Sequence, residues 1–229
     1  IKNLRDPLQR VAMPALSRLQ NEPENYRNYY KKFVSILAFV SMPLVTFLFV
    51  CSDQVINIIL GSQWRKASEL FKILAIVAFI QPVFSTIGLV MISTGNSRRY
   101  LVLGIISAII ISASLVAGLP WGAKGVATGY AIGNYLLLLP YLYFSFKETP
   151  VKVLDFVKAV YRPFIASFVM GISTYFVHLT MQGVNDGILV LIIFFISFSL
   201  YLTLLAILFN GIQDIKTYIS YCKVVFGIR

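Results

Sequence analysis

Six runs of apolar residues, each about 20 residues long, recur along the chain with polar segments of unequal length between them. They cover 33–51, 73–93, 101–119, 126–146, 164–182 and 188–209, and none contains Asp, Glu, Lys or Arg. A helix rises about 1.5 Å per residue, so about 20 apolar residues bridge the roughly 30 Å hydrocarbon core of a bilayer. One charge at the centre of such a helix costs about 2.5–3.5 kcal/mol on the insertion scale. The pattern therefore predicts an all-α polytopic membrane protein with six transmembrane helices. It divides into a polar segment at 1–32, a six-span region over 33–209 and a tail at 210–229.

The polar segments set the orientation. Those sharing a side with the first segment are 1–32, 94–100, 147–163 and 210–229, with 7, 2, 4 and 3 Lys or Arg residues. The opposite side holds 52–72, 120–125 and 183–187, with 3, 1 and none. Basic residues stay on the cytoplasmic side because translocating them is disfavoured. Both termini are thus predicted to be cytoplasmic. Trp64 and Trp121 fall in the opposite loops, and Tyr100, Tyr141 and Tyr143 sit at span edges, where amphipathic rings favour headgroup depth.

Composition agrees with this reading. Hydrophobic residues make up 58% of the 229-residue chain and charged residues only 13%, against about 25% charged in a soluble domain. The net charge of +11 is spread between apolar runs and forms no basic–aromatic module. It suits topology and anionic headgroups, and no nucleic-acid partner is expected. Cys51 and Cys222 stand alone, without metal-ligand or disulfide spacing.

Two linkers are amphipathic. Residues 155–162 (DFVKAVYR) form an apolar stripe flanked by Asp155, Lys158 and Arg162, and 53–60 (DQVINIIL) is similar. Each is either a helix lying in the membrane plane or an extension of the neighbouring span.

Inside the spans, Pro43, Pro82 and Pro140 each remove a backbone donor. Structural bending is the first expectation, and a gating role for Pro43 and Pro82 the second. Gly125, Gly129 and Gly133 fall at intervals of four on one helix face, which predicts close approach of a neighbouring helix. That face is also a candidate sliding surface. Few polar residues of the spans are expected to be buried: Gln81, Thr86, Asn134, Thr174 and His178. Each must find a partner in lipid. His178, the only histidine, is expected to hydrogen-bond a neighbouring helix or to sit near the interface rather than to carry protons.

No span holds a carboxylate suited to a proton or sodium relay. Walker, GxSxG and HExxH motifs are absent, and Asp53, Glu69 and Asp186 are scattered over loops. Neither catalysis nor a cofactor nor a metal is expected.

The opening segment RVAMPALSRLQNEPE at 10–24, followed by Tyr26, Arg27, Tyr29, Tyr30, Lys31 and Lys32, resembles the loop between lobes in bacterial polysaccharide flippases. These belong to the multidrug/oligosaccharidyl-lipid/polysaccharide exporter superfamily, and the colanic-acid or O-antigen type is the most similar. Ile59, Leu60, Gly61, Trp64, Ala67 and Leu74 are similar to the family's outer-loop pattern. Gly122, Lys124, Gly125, Val126 and Ala127 match a recurring small-residue helix start.

The resemblance implies one lobe of a two-lobe exporter, here the C-terminal half. The chain begins at Ile1 rather than Met, and the implied N-terminal lobe lies outside it. It implies flipping of an undecaprenyl-diphosphate-linked oligosaccharide across the bacterial inner membrane by alternating access. Its partners are then the bilayer, that lipid-linked glycan and the other lobe. Candidate contacts to the diphosphate are Arg5, Arg10 and Arg18, since Arg binds phosphate in bidentate fashion. The alternative reading of each is ordinary positive-inside charge. For the whole chain the alternatives are a multidrug exporter of the same superfamily, or a membrane-embedded glycan polymerase or ligase.

Overall fold

The computed structural model describes residues 12–181 and 186–208, and every regular element among them is helical. A short helix α1 covers 12–18. It is followed by α2 (Pro23–Val50), α3 (Ser52–Leu60), α4 (Ala67–Phe84), α5 (Ile87–Ser93), α6 (Ser97–Gly118), α7 (Gly122–Phe146), α8 (Val153–Thr180) and α9 (Asp186–Leu208). Among the described residues, five helical stretches are long and apolar enough to cross a membrane: Pro23–Val50, Ala67–Ser93, Ser97–Phe146, Val153–Thr180 and Asp186–Ile207.

The third stretch is not one rod. A 3-10 turn at Leu119–Trp121 leads into Gly122 at φ 64°, a left-handed conformation that glycine tolerates. Beyond it, α7 runs back along α6, so that Gly133 meets Ser114 and Ile111. The stretch is a hairpin of two long helices.

Several starts lie well before the apolar runs. Helix α2 begins within the polar opening, with Pro23 at its first position and the Glu22 carbonyl accepting from the Tyr26 amide. Residues 155–162 run straight on into the fifth apolar run as part of α8, the extension reading of that linker. Residues 53–60 lie in α3, set off from α2 by Cys51 and therefore a helix of their own.

The chain divides into two compact units. The first comprises Ile1–Ala38 and Ile80–Val160. In it α5 packs on both arms of the α6–α7 hairpin. The Tyr26 hydroxyl lies 2.6 Å from Ser93 Oγ, and the Tyr30 hydroxyl 2.9 Å from Thr86 Oγ1. Tyr30 also stands edge-on to Phe146, with ring centroids 6.0 Å apart. Both tyrosines are fully buried, so each hydroxyl must be paired.

The second unit comprises Phe39–Phe79 and Tyr161–Arg229. Its core joins Phe39, Phe47, Met170, Ile193 and Tyr201. Phe47 meets Phe194 edge-on at 5.3 Å, and Phe39 lies 5.6 Å from the Tyr201 ring. Helix α3 packs on α9, where Asn57 donates to Asp186 at 2.6 Å.

Candidate functional site

Polar groups inside apolar helices are the natural place to look for function, because lipid gives them no partner. The structure separates the five. Thr86 is buried, donates to the Val83 carbonyl and is held by Tyr30. Thr174 is buried, donates to the Met170 carbonyl and pairs with Ser197 at 2.8 Å. Asn134 donates to the Tyr130 carbonyl within its own helix. His178 Nε2 lies 3.3 Å from Gln54 Nε2 of α3, a bond to a neighbouring helix. Gln81 differs: its side chain is exposed and makes no hydrogen bond among the described residues.

Helix geometry changes just beyond Gln81. Helix α4 ends at Phe84, Ser85 and Thr86 form a turn, and α5 resumes at Ile87. The bend expected at Pro82 therefore falls on its C-terminal side. Ser85 donates to the Pro82 carbonyl and Thr86 to that of Val83, and such back-bonding loosens the helical ladder. By contrast α7 continues unbroken through Pro140.

Two prolines expose a rule that spacing alone does not show. Pro43 has no N–H, so the Phe39 carbonyl four residues earlier loses its helical donor. The Tyr201 hydroxyl, from α9, donates to that oxygen at 3.0 Å. Pro163 likewise frees the Ala159 carbonyl, and Ser35 of α2 donates to it at 2.9 Å. At these two prolines the freed carbonyl is met by a hydroxyl from another helix, as an apolar solvent demands.

Gly125, Gly129 and Gly133 line the seam of the α6–α7 hairpin. A Cβ on Gly125 would overlap the Gly118 carbonyl oxygen, and one on Gly129 the Ser114 carbonyl oxygen. One on Gly133 would come 2.6 Å from Ser114 Oγ. Gly171, not singled out by any spacing, plays the same part in the second unit, where a Cβ would lie 2.6 Å from Thr46 Cγ2.

Of the candidate cations, Arg5 and Arg10 lie outside the described residues. Arg18 is exposed near the end of α1, whose inward face is Ala12 and Leu16. Arg27 and Arg99 carry structural bonds instead. Arg27 donates to the Pro150 carbonyl at 3.0 Å and pairs with Asp155 at 3.3 Å. Arg99 donates to the Lys147 carbonyl and pairs with Glu148 at 2.6 Å. The hydrogen bond and charge of Arg99 hold the Glu148 carboxyl below the ordinary range. Near the start of α3, partial burial alone would raise Asp53. Hydrogen bonds from Lys72 and Ser68, with the charges of Lys72 and Arg65, outweigh it and lower the carboxyl.

In the second unit an apolar cleft of about 120 Å³ lies beside Pro43, Phe47, Met170 and Phe198. No group of three or more His, Cys, Asp or Glu positioned to hold a metal occurs among the described residues.

Residues 1–69 match the family described as "Polysaccharide biosynthesis protein". The chain is 20% identical over 183 residues to the lipopolysaccharide biosynthesis protein WzxC of Escherichia coli, covering 76% of this chain and 36% of that protein. It is 26% identical over 176 residues to the teichuronic acid biosynthesis protein TuaB of Bacillus subtilis, with the same coverage. A membrane protein from the cps region of Klebsiella pneumoniae is 22% identical over 163 residues, covering 70% and 34%. Among solved structures, the lipid II flippase MurJ in an inward closed conformation superposes with a TM-score of 0.65 at 22% identity. That match covers 90% of this chain and 43% of MurJ. The chain thus spans about a third of the length of the curated relatives it matches. It is a multi-pass membrane protein, in sequence a relative of bacterial polysaccharide-biosynthesis membrane proteins and in fold like part of a lipid II flippase.

Proposed function

We propose that the chain is one lobe of an exporter that flips an undecaprenyl-diphosphate-linked oligosaccharide across the bacterial inner membrane. The observation that carries this reading is the agreement of sequence and fold. Relatives over 70–76% of the chain include two named for making lipopolysaccharide and teichuronic acid. The fold over 90% of it is shared with a lipid II flippase. Such a protein must move a glycan and a diphosphate across about 30 Å of hydrocarbon. Two lobes rocking about a central path would expose a polar cavity to one side at a time, while the lipid tail stays in the bilayer. The opposite wall would come from the other half that the relatives' length accommodates.

In this reading the helices make six crossings, with the α6–α7 hairpin supplying two, and both termini face the cytoplasm. Arg5, Arg10 and Arg18 are cations at the inner mouth, suited to the diphosphate. Pro43 and Pro82 give α2 and α4 the bends that rocking requires, and the Gly125, Gly129 and Gly133 face keeps one hairpin moving as a unit. Nothing in the reading calls for catalysis or a cofactor. A multidrug exporter has less behind it, since the spans hold no carboxylate for cation coupling.

The test is complementation. Expression of the full-length protein in a strain lacking its polysaccharide exporter should restore surface polysaccharide. The Arg5→Gln, Arg10→Gln double variant should restore less at equal abundance. No restoration by the parent protein rejects the export reading. Full restoration by the double variant rejects the cationic mouth.

A further inference from the structure

Gln81 stands out from Thr86, Asn134, Thr174 and His178 because its side chain is exposed and makes no hydrogen bond among the described residues. We infer that Gln81 lies on the water-lined wall of the translocation path and hydrogen-bonds the hydroxyls of the passing glycan. The path and the glycan contact rest on the export reading, whereas the exposure of Gln81 to water rather than lipid does not.

Two observations converge. The residue sits near the middle of the Ala67–Ser93 stretch. An amide held there against lipid tails would forfeit its hydrogen bonds to water and gain none. Thr86, Asn134 and Thr174 avoid that loss through bonds within the fold, and His178 does so through Nε2 alone. An exposed, unpaired amide among them marks a face that hydrocarbon does not cover.

The helix is interrupted at Ser85–Thr86, one turn beyond Gln81. That break is itself buried in protein, with Thr86 held by Tyr30, and is satisfied without water. Gln81 and Ser85, four residues apart, project from one side of the helix, and neither is buried. Beside a broken helix, the primary amide offers two donors and an acceptor. That suits a neutral, polyhydroxylated ligand better than a phosphate, which would call for a cation.

The wall and the contact are tested separately. Gln81→Cys in the full-length protein should react with a membrane-impermeant maleimide, in cells or inverted vesicles, at least about tenfold faster than Ile109→Cys. Thiolate forms readily only in water. Ile109 is 64% exposed on an apolar helix and serves as the lipid-facing reference. Labelling of Gln81→Cys at the rate of Ile109→Cys overturns the inference. So does its oxidative cross-linking into a dimer, which would show a second copy covering the face.

For the contact, Gln81→Leu should cut polysaccharide export by about threefold to tenfold, the loss of one or two neutral hydrogen bonds, at unchanged abundance. Leucine is at home in lipid, so a purely structural role predicts no loss. Gln81→Asn, which keeps the amide, should retain more export than Gln81→Leu. Parental export in Gln81→Leu rejects the glycan contact. If Gln81→Cys labels readily but the parent protein restores no export, the path survives and the export reading fails.

Discussion

The α6–α7 hairpin and helices α2 and α8, at Pro43 and Pro163, meet their neighbours by opposite means. In the hairpin, side chains are left out. Gly118, Gly125, Gly129 and Gly133 bring two backbones together, and a Cβ at Gly125 or Gly129 would overlap a carbonyl oxygen. In α2 and α8, side chains are added. Tyr201 and Ser35 place hydroxyls on the Phe39 and Ala159 carbonyls that Pro43 and Pro163 leave without donors. Burial differs as well. Of the most apolar window of the Ser97–Phe146 stretch 6% is buried, against 61% for Pro23–Val50 and 33% for Val153–Thr180. At Pro43 and Pro163 a carbonyl left without its helical donor lies where another helix reaches it.

The hairpin offers the largest effect. Gly129→Leu forces a side chain against the Ser114 carbonyl, where only backbone movement makes room. It should cost about 3 kcal/mol, at the upper end of overpacking, read as a lowered denaturation midpoint of the purified protein in detergent. An unchanged midpoint would mean that the two helices do not touch at Gly129.

The hydroxyl seals come next. Tyr201→Phe should cost about 1 kcal/mol, the scale of one hydrogen bond within a membrane protein. Pro43→Ala restores an N–H to the Phe39 carbonyl. In that background Tyr201→Phe should cost markedly less, a coupling visible in a double-mutant cycle. Additive costs would contradict the seal. Ser35→Ala, paired with Pro163→Ala, should repeat the pattern with a smaller amplitude.

A smaller effect again belongs to Arg27. Its guanidinium is partly exposed, and the pair with Asp155 is backed by the Pro150 carbonyl. Arg27→Ala should cost about 0.5–1 kcal/mol, shrinking as salt is raised.

Smallest is the response of Asp53 to acid. Its folded pKa lies below the ordinary carboxylate value, so the folded state favours the charged form. The stabilisation is complete above the unfolded pKa of about 3.9 and is lost as pH falls through the folded value. The parent's denaturation midpoint should therefore drop slightly more than that of Lys72→Met between pH 5 and the lowest pH tolerated. Equal drops would remove Lys72 as the cause.

The contrast between seams also marks what a single sequence can show. Charge-free runs of about 20 residues announced the helices because hydrocarbon thickness fixes their length. Glycines four apart announced the hairpin seam because helix periodicity puts them on one face. Both signals are local. The seals were not legible, because Tyr201 lies 162 residues from Phe39 and Ser35 124 from Ala159. Only the fold decides which of many hydroxyls meets a stranded oxygen. The break after Pro82 was legible only in part. A proline announces a lost donor, while the position of the turn depends on Ser85 and Thr86 bonding backwards. Gln81 could be named as a polar intruder, yet nothing along the chain separated it from Asn134 or Thr174. That distinction needed the neighbours in space.

The most direct measurement is translocation itself. Full-length protein reconstituted into vesicles with a lipid-linked oligosaccharide in the inner leaflet should expose that glycan to an externally added lectin, faster than protein-free vesicles do. Exposure at the protein-free rate, by protein shown to be folded and inserted, would contradict the assignment of this fold to moving a glycan across the membrane.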